Sequence, residues 1–376
     1  MRVVVPTEIR QGEMRVALVP DIVNKLTKLG HEVIVQSGAG VHSQASDKEF
    51  TAAGAQVVNG DVLASADVVL SVSSLTPEQI GQLKRGAVTI SFLSPLTGTD
   101  SINAAVKAGV SAFSLELVPR ISRAQSMDAL TSQALCAGYR AALVGAELSP
   151  RFFPLLMTAA GTVTPAQVLV LGAGVAGLQA IATTRRLGAV VSAYDVRPSS
   201  ADEVKSMGAT FITLELEALE GAGGYAREMT EERAAKQREL LTPYIAKSHV
   251  LITTAAVPGR TAPRLVTKAM VDAMAPGTVI VDLAAESGGN VEGSKPGEIV
   301  ITDGGVKIWG GKDVPSQLPF HASSLYSRNV VNLLTLLTKP AADGVAASLD
   351  LNFDDEIING SAVTHGGERR TPGGKA

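Results

Sequence analysis

The sequence predicts an α/β fold of two Rossmann-like domains, each with a doubly wound parallel sheet, joined by long crossover helices. Three observations support this prediction. Short apolar runs alternate with helical segments along most of the chain, as they do in parallel sheets. One apolar run leads into a Gly-x-Gly-x-x-Gly turn at residues 172–177. The 376 residues are enough for about two domains.

The pattern of apolar runs also places the elements. In the first domain, strands are predicted at residues 3–5, 33–35, 56–58, 68–70, 88–90 and 111–114, and helices at 20–29, 48–53, 77–83 and 100–108. The second domain has predicted strands at 168–171, 190–194, 211–213, 250–253, 279–282, 299–302 and 306–309, and a helix at 178–187. Long helices at 123–148 and 318–337 serve as crossovers between the domains. These are placed at residues 1–137 plus 317–376 and at residues 138–316. The polar, Gly-rich stretch from Pro340 is predicted to be a loosely held tail.

The glycine turn predicts a dinucleotide site. Gly172 permits the tight turn, Gly174 lets a pyrophosphate approach the backbone, and Gly177 lets helix and strand pack closely. Val175 and Ala176 fall at the start of the helix, whose free N–H groups and positive dipole end face the phosphates. The alternative is a glycine turn in an α/β domain that binds no ligand.

Asp195 ends the next strand, about 20 residues beyond the glycines, where an acid accepts hydrogen bonds from ribose hydroxyls. Its charge would repel the 2′-phosphate of NADP, and this favours NAD as the cofactor. Arg197 leaves two interpretations open, because it can pair with that phosphate or simply neutralise Asp195. Val196, between them, is included in the predicted cofactor site.

Composition excludes several classes of function. The net charge of −3 gives no basic field for nucleic acid. Cys136 is the only cysteine, which excludes disulfides and thiolate metal clusters, and the five histidines are scattered, so no metal site is predicted. The chain begins with a predicted strand, so we expect no signal peptide, and prolines and glycines interrupt the uncharged stretch 152–184. We therefore expect a cytoplasmic chain with no membrane span of its own.

The run Arg120-Ile-Ser-Arg-Ala-Gln-Ser-Met-Asp128 is far more specific than the glycine turn. With further runs at residues 138–140, 158–163, 172–178, 223–229, 253–259 and 282–290, it strongly resembles the soluble NAD(H)-binding alpha subunit of proton-translocating nicotinamide nucleotide transhydrogenase. The resemblance covers nearly the whole chain, up to Lys339.

This resemblance implies an enzyme activity. NAD(H) bound by this chain would exchange hydride directly with NADP(H) on a partner domain, and membrane subunits would couple the transfer to proton translocation. The chain would be a homodimer that is peripheral to the inner or plasma membrane through those subunits. Direct transfer requires two nicotinamide rings in near contact with water excluded, and it requires no acid–base groups.

The resemblance also assigns site residues. Arg120, Gln125 and Asp128 form the implied catalytic group: Arg120 and Asp128 suit a nicotinamide carboxamide and ribose, and Gln125 lies where the two nicotinamides meet. Thr131, where the family often has Ser, keeps a hydroxyl that can serve the carboxamide. Helix capping is the alternative role for Asp128 and Thr131.

Four more positions complete the predicted cofactor site. Gly224 and Tyr225 belong to a glycine-rich segment that is predicted to close over the nucleotide as a mobile lid, with an ordinary surface loop as the alternative. Gln237 and Ala256 match positions that contact NAD(H) in the family.

Two other functions compete with transhydrogenation. Alanine dehydrogenases share the motif at residues 13–20, in which Arg15 can bind a substrate carboxylate. They carry Lys, His and Asp where this chain has Ser71, Ser94 and Glu286, and a serine supplies neither a cation nor an imidazole. Amino-acid chemistry is therefore disfavoured. A protein that binds NAD without chemistry is the third interpretation, and the intact run ending at Asp128 argues against it.

Overall fold

The computed structural model of the chain describes residues 1–216, 230–256, 259–342 and 345–371. The chain divides into two compact units, Met1–Gln133 with Pro315–Ala376, and Ala134–Val314, which we call unit 1 and unit 2. The sequence placed the divisions after residues 137 and 316, a few residues later in each case.

Unit 1 contains a parallel sheet made of β1 (Arg2–Val5), β2 (Glu32–Gln36), β3 (Gln56–Val58), β4 (Val68–Leu70), β5 (Val88–Ser91) and β6 (Ser111–Ser114). Its order is β3-β2-β1-β4-β5-β6. Helices α1 (Pro20–Lys28), α2 (Asp47–Ala52), α3 (Pro77–Gly81) and α4 (Thr99–Ala108) alternate with the strands. Capping boxes from Ser46 and Thr76 begin α2 and α3, because each side chain accepts the N–H of the third helical residue.

Both faces of this sheet are buried. Side chains of successive strand residues point to opposite faces. Val3 and Val5 belong to one apolar cluster and Val4 to another. A sheet covered on both faces is the arrangement of doubly wound folds.

α5 (Ala129–Leu148) contains the first division between the units. The prediction that this helix begins at Arg123 is wrong. Residues Ser122–Met127 form a separate 3-10 turn, and Asp128 leaves the helical conformation with φ −74° and ψ 88°. The break arises because Asp128 is the N-cap of α5, where its carboxylate accepts the Thr131 N–H at 2.8 Å.

After α5, unit 2 continues with a hairpin of β7 (Leu156–Thr158) and β8 (Gly161–Val163). Its sheet contains β9 (Gln167–Leu171), β10 (Val190–Tyr194), β11 (Thr210–Phe211), β12 (Val250–Thr253), β13 (Val279–Asp282), β14 (Ile299–Ile301) and β15 (Lys307–Gly310). The order is β11-β10-β9-β12-β13-β15-β14, and only β14 pairs antiparallel. The helices are α6 (Val175–Arg186), α7 (Ser200–Ser206), α8 (Glu231–Lys247) and α9 (Lys268–Asp272). The predicted fold class, two Rossmann-like α/β domains, is confirmed.

The chain returns to unit 1 before its second long helix, α10 (Pro319–Leu336). After it come β16 (Thr338–Lys339), β17 (Ser348–Leu349), α11 (Glu356–Ser361), β18 (Thr364–His365) and β19 (Glu368–Arg369). The expectation of a loose tail is wrong. Ile357 and Ile358 are buried in the same cluster as Val3, and Ala362 pairs antiparallel with Phe113 of β6. Burying two isoleucines contributes roughly 1.5–3 kcal/mol each, enough to hold a polar segment in place.

Candidate functional site

The glycine turn connects β9 to α6. Gly172 has a φ of 100°, a left-handed conformation, and a Cβ there would lie 2.6 Å from Thr254 Oγ1. A Cβ on Gly177 would lie 1.9 Å from the carbonyl oxygen of Gly172, so only glycine lets α6 begin this close to β9. A Cβ on Gly174 would meet nothing within 4 Å among the described residues. The fold itself therefore requires Gly172 and Gly177, whereas Gly174 leaves open space beside the backbone.

The N-terminus of α6 has the chemistry of an anion site. The first N–H groups of a helix have no carbonyl partner inside it, and here the cap residue is Gly174, which has no side chain to fill that role. Val175 is 38% exposed and Ala176 half-buried. Gly138 of α5 packs against this turn, because a Cβ there would lie 2.1 Å from the Ala176 carbonyl oxygen.

Asp195 follows β10 and binds the glycine turn. Its Oδ2 accepts the Ala173 N–H at 2.7 Å, and its Oδ1 accepts the Arg197 N–H at 2.9 Å. The Arg197 guanidinium donates from Nε to Oδ1 at 2.9 Å and from Nη2 to Oδ2 at 3.0 Å. Of the two interpretations of Arg197, the structure therefore shows the ion pair with Asp195. Val196 between them is half-buried.

Two predicted cofactor residues lie on other elements of unit 2. Gln237 on α8 is 2% exposed, and its Oε1 finds no hydrogen-bond partner among the described residues. A buried acceptor without a donor costs about 1–3 kcal/mol, so such an atom marks a place where a ligand donor fits. Ala256 is exposed, beyond the end of β12. Gly224 and Tyr225, with the predicted lid, lie outside the described residues.

The four predicted residues of unit 1 lie around the start of α5. Arg120 and Gln125 are exposed, and Asp128 and Thr131 are half-buried. Asp128 Oδ2 accepts the hydroxyl of Thr131 at 2.6 Å, in addition to the N-cap bond from the Thr131 N–H. The helix-capping role of this pair is therefore present in the structure, and it fixes the end of the turn that carries Gln125.

Two buried polar residues shape unit 2 beside the glycine turn, and the sequence pattern alone gave neither of them a role. Asn290 accepts the Ala255 N–H at 3.1 Å and donates to the Ala255 carbonyl oxygen at 2.8 Å. Asp282, fully buried, accepts N–H groups of Asn290 and Val291 and the hydroxyl of Thr253. Asp282 ends the otherwise apolar strand β13, and this pattern could have predicted its role, since a buried polar group requires hydrogen-bond partners.

Unit 1 carries a buried ion pair near its first loop. Arg15 donates from Nε and Nη2 to the two oxygens of Glu13, both at 2.7 Å, and from Nη1 to Gln133 at 2.8 Å. Burial would raise the pKa of Glu13, but Arg15, with Ser316 and Arg10, lowers it to about 2. The Arg15 guanidinium, which a dehydrogenase would need for its substrate, is thus ion-paired.

The positions that carry acid–base chemistry in amino-acid dehydrogenases have structural roles here. The Ser71 hydroxyl is buried and donates to the Ser73 carbonyl oxygen at 2.8 Å. Ser94 has a φ of 48°, and its N–H donates to Glu116 at 2.8 Å. Glu286 accepts the N–H of Asp313 at 3.0 Å.

Two further features are absent from the described part of the chain. No helix there is long and apolar enough to cross a bilayer. No group of three or more His, Cys, Asp or Glu side chains in those residues is arranged to hold a metal ion.

Comparison with known proteins gives consistent results over nearly the whole chain. The alanine dehydrogenase/PNT N-terminal domain matches residues 4–137 and the C-terminal domain matches residues 141–372. The chain is 48% identical to the first section of the NAD(P) transhydrogenase alpha subunit of Rhodospirillum rubrum, over 98% of this chain and 97% of that protein. It is 34% identical to an alanine dehydrogenase of Mycobacterium tuberculosis, over 79% of this chain and 76% of that protein.

Solved structures agree. A transhydrogenase from Sinorhizobium meliloti superposes with a TM-score of 0.86 at 42% identity, covering 99% of this chain and all of that one. The resemblance to transhydrogenase alpha subunits that the run ending at Asp128 indicated is thereby confirmed. The chain belongs to the alanine dehydrogenase/PNT family of oxidoreductases, with NAD(P) transhydrogenase alpha subunits among its relatives.

Proposed function

We propose that unit 2 binds NAD(H), and that this chain positions it for direct hydride exchange with NADP(H) on a partner domain. Membrane subunits would couple the exchange to proton translocation. The observation that carries the proposal is the glycine turn between β9 and α6, bound by the carboxylate of Asp195. NAD(H) supplies the redox chemistry, and the chain supplies binding, orientation and exclusion of water.

The described residues fit a dinucleotide. None of the residues that the structure describes fills the space beside the Gly174 backbone at the N-terminus of α6, and this space suits a pyrophosphate. The Oε1 of Gln237, which has no hydrogen-bond partner in the described part of the chain, is a buried acceptor that a ligand donor can satisfy. Val175, Ala176 and Ala256 would line the site, with Gly224 and Tyr225 as the proposed lid.

Asp195 and Arg197 support NAD rather than NADP. A ribose hydroxyl can donate to the carboxylate of Asp195, whereas a 2′-phosphate would meet its negative charge. Arg197 already donates three hydrogen bonds to Asp195, so it is not poised for a phosphate. Val196 would contact the same end of the nucleotide.

Arg120, Gln125, Asp128 and Thr131 are proposed as the nicotinamide residues, the first three as the catalytic group. Gln125 is exposed and carries both a donor and an acceptor, which suits a place where two nicotinamides meet. Asp128 is already oriented by Thr131 through two hydrogen bonds. None of these side chains needs to take or give a proton for hydride to pass between two rings.

We further propose a homodimer, peripheral to the cytoplasmic side of the membrane through its partner subunits. The hairpin β7–β8 and its approach carry four exposed apolar side chains, Phe152, Leu155, Met157 and Val163. No charged residue occurs between residues 152 and 184, and an exposed apolar surface of this kind suits contact with a second copy of itself. Sedimentation velocity should show a dimer that Met157→Lys weakens, and a wild-type monomer would contradict the proposal.

The test of function is hydride transfer from NADH to a spectrally distinct NADP⁺ analogue, with this chain alone and with an added NADP(H)-binding transhydrogenase domain. Transfer only in the mixture is expected. If NADH binds but the mixture transfers no hydride, the result contradicts the proposal that this chain positions NAD(H) for hydride transfer. Oxidation of small amino acids by the chain alone would instead favour the dehydrogenase interpretation.

A further inference from the structure

We propose that Arg123 and Asp355 are positioning residues for hydride transfer: their ion pair makes the C-terminal segment hold the 3-10 turn Ser122–Met127 that carries Gln125. The inference rests on the proposed function, which gives Gln125 its part in the reaction. It assigns a task to the segment 345–371, which the sequence presented as a loose tail.

The ion pair has the geometry of a clamp. Arg123 Nη1 donates to Asp355 Oδ2 at 2.6 Å, and Nη2 donates to Oδ1 at 3.2 Å, so both carboxylate oxygens are engaged. Glu356 adds a second acidic neighbour at 3.6 Å from Nη2. The hydrogen bond from Arg123 is the largest of the effects that hold the pKa of Asp355 below its usual value. A bidentate pair fixes direction as well as distance.

Asp355 is itself anchored. As the N-cap of α11 it accepts the N–H groups of Ile357 at 2.8 Å and Ile358 at 3.4 Å. Both isoleucines are buried in the same apolar cluster as Ala124 and Met127 of the turn. The ion pair therefore joins two segments that pack in the same core. Because α11 fixes the position of Asp355, a displacement of Arg123 would break the ion pair.

Side chains of α10 bind the backbone of the turn Ser122–Met127. The carbonyl oxygen of Ser126 accepts the side-chain amides of Asn329 at 3.0 Å and Asn332 at 2.9 Å. Asn329 also accepts the hydroxyl of Ser132 at 2.7 Å. These contacts fix the residue after Gln125, whereas Arg123 fixes the turn before it.

Gln125 needs this support because its side chain is exposed and makes no hydrogen bond with the described residues. The position of the Gln125 side chain is therefore determined by the backbone of the turn. A displacement of about 1 Å between reacting groups can cost on the order of a hundredfold in rate. A loosened turn should therefore slow the transfer while leaving the nucleotide turn of unit 2 untouched.

The experiment uses the full chain with Asp355→Asn, which keeps an N-cap for α11 because Asn caps as well as Asp. Hydride transfer at saturating NADH, with the partner domain present, should fall about fivefold, the worth of a partly exposed ion pair. The NADH dissociation constant should stay unchanged. In the free protein, hydrogen–deuterium exchange at the amides of Ala124 and Asp128 should become faster by a similar factor.

Asp354→Asn is the matched control, since it removes the same charge from an exposed neighbour with no side-chain hydrogen bond among the described residues. Arg123→Gln should reproduce the Asp355→Asn effect, and the double variant should be no slower than either single variant. Wild-type exchange in Asp355→Asn, or additive losses in the double variant, would overturn the positioning role. A wild-type mixture without any transfer would overturn the proposed function and the catalytic part of this inference, while the exchange data still decide whether the pair holds the turn.

Discussion

The two units share a strand order and differ in the connection that leaves their first strand. In each sheet the first strand lies between the second and the fourth strand of that sheet, as β1 does in unit 1 and β9 does in unit 2. From β9 the chain reaches α6 through Gly172, Ala173 and Gly174 alone. From β1 it runs through residues 6–19 before α1, whose first residue, Pro20, has no N–H to offer.

Each unit also has an acid two residues before an arginine that pairs with it. In unit 1, Glu13 and Arg15 are 5% and 8% exposed and are completed by Gln133. In unit 2, Asp195 and Arg197 are half-buried, and Asp195 is bound to the glycine turn. The first pair is enclosed by its own unit, whereas the second borders the predicted ligand.

If unit 2 alone binds the dinucleotide, as we propose, strand order does not decide ligand binding. A parallel sheet creates a crevice at the switch point of its topology, but the first loop either fills that crevice with side chains or leaves backbone donors open. In unit 1 the first loop carries the buried ion pair of Glu13 and Arg15, whereas in unit 2 it consists only of residues 172–174 and leads directly to the N-terminus of α6. Variants of the glycines and of the two ion pairs test whether this contrast holds.

The largest effect is expected from the glycines of unit 2. Gly177→Ala should destabilise the protein by about 3 kcal/mol or more, because its Cβ would lie 1.9 Å from a carbonyl oxygen, and should abolish NADH binding. Gly174→Ala should leave the free energy of unfolding within about 0.5 kcal/mol of wild type, yet raise the NADH dissociation constant at least about tenfold. Urea unfolding and fluorescence titration measure both. Normal NADH affinity in Gly174→Ala would mean that the phosphates do not approach there.

The second largest effect is expected from the buried ion pair of Glu13 and Arg15 in unit 1. Arg15→Gln leaves the carboxylate of Glu13 buried without its main partner, and we expect a loss of about 3–5 kcal/mol in the free energy of unfolding. The NADH dissociation constant should not change. Arg10→Gln is the control: Arg10 also bonds Glu13 at 3.0 Å, but its side chain is 45% exposed, so the loss should stay below about 1 kcal/mol. Equal losses in the two variants would refute the role assigned to burial.

Substitutions in the ion pair of Asp195 and Arg197 in unit 2 should change the affinity for NADH rather than the free energy of unfolding. Asp195→Ala removes the acceptor for the ribose and releases Arg197, so NADH should bind about tenfold to a hundredfold more weakly and NADPH should be discriminated against less. Isothermal titration with both nucleotides measures this. Asp202→Ala, an exposed acid on α7, should bind NADH like wild type. An Asp195→Ala variant with unchanged NADH affinity would remove the basis for placing the ribose here.

The smallest effect is a pH dependence within unit 1. Burial lowers the pKa of His31 from 6.5 to about 4, so between these values the unfolded chain binds more protons and folding stability falls as pH falls. Glu8 has the opposite effect on the pH dependence of stability. Burial raises the pKa of Glu8 from 4.5 to about 7, so its contribution to folding stability falls as pH rises. His31→Asn removes the contribution of His31 and keeps that of Glu8, so the stability at about pH 4 relative to pH 6.5 should be about 1–2 kcal/mol higher than in wild type, measured by urea unfolding against His321→Asn. A wild-type slope in His31→Asn would contradict it.

Sequence reasoning succeeded where one physical requirement dominates a local segment. Strands β3, β4, β6, β10, β12 and β13 have the predicted bounds because short apolar runs between polar turns leave little choice. The roles of Gly172 and Gly177 also follow locally, since the turn allows no Cβ. It failed at the start of α5, where the helical pattern runs through Asp128 but the carboxylate caps the helix and ends the pattern.

The fold class, the glycine turn, the acid at 195 and the family are properties that the sequence determined by itself. Each depends on neighbours close in the chain or on a run of residues specific enough to stand alone. Only the tertiary structure showed that Arg197 pairs with Asp195, that Arg15 is enclosed, and that Asp355 reaches Arg123. Whether a charge is paired, buried or open depends on the conformation of the chain around it and on the segments that the fold packs over it. The sequence pattern offers several partners for one charge and does not choose between them, because the energy of a charge depends on the geometry of its pair and on its burial.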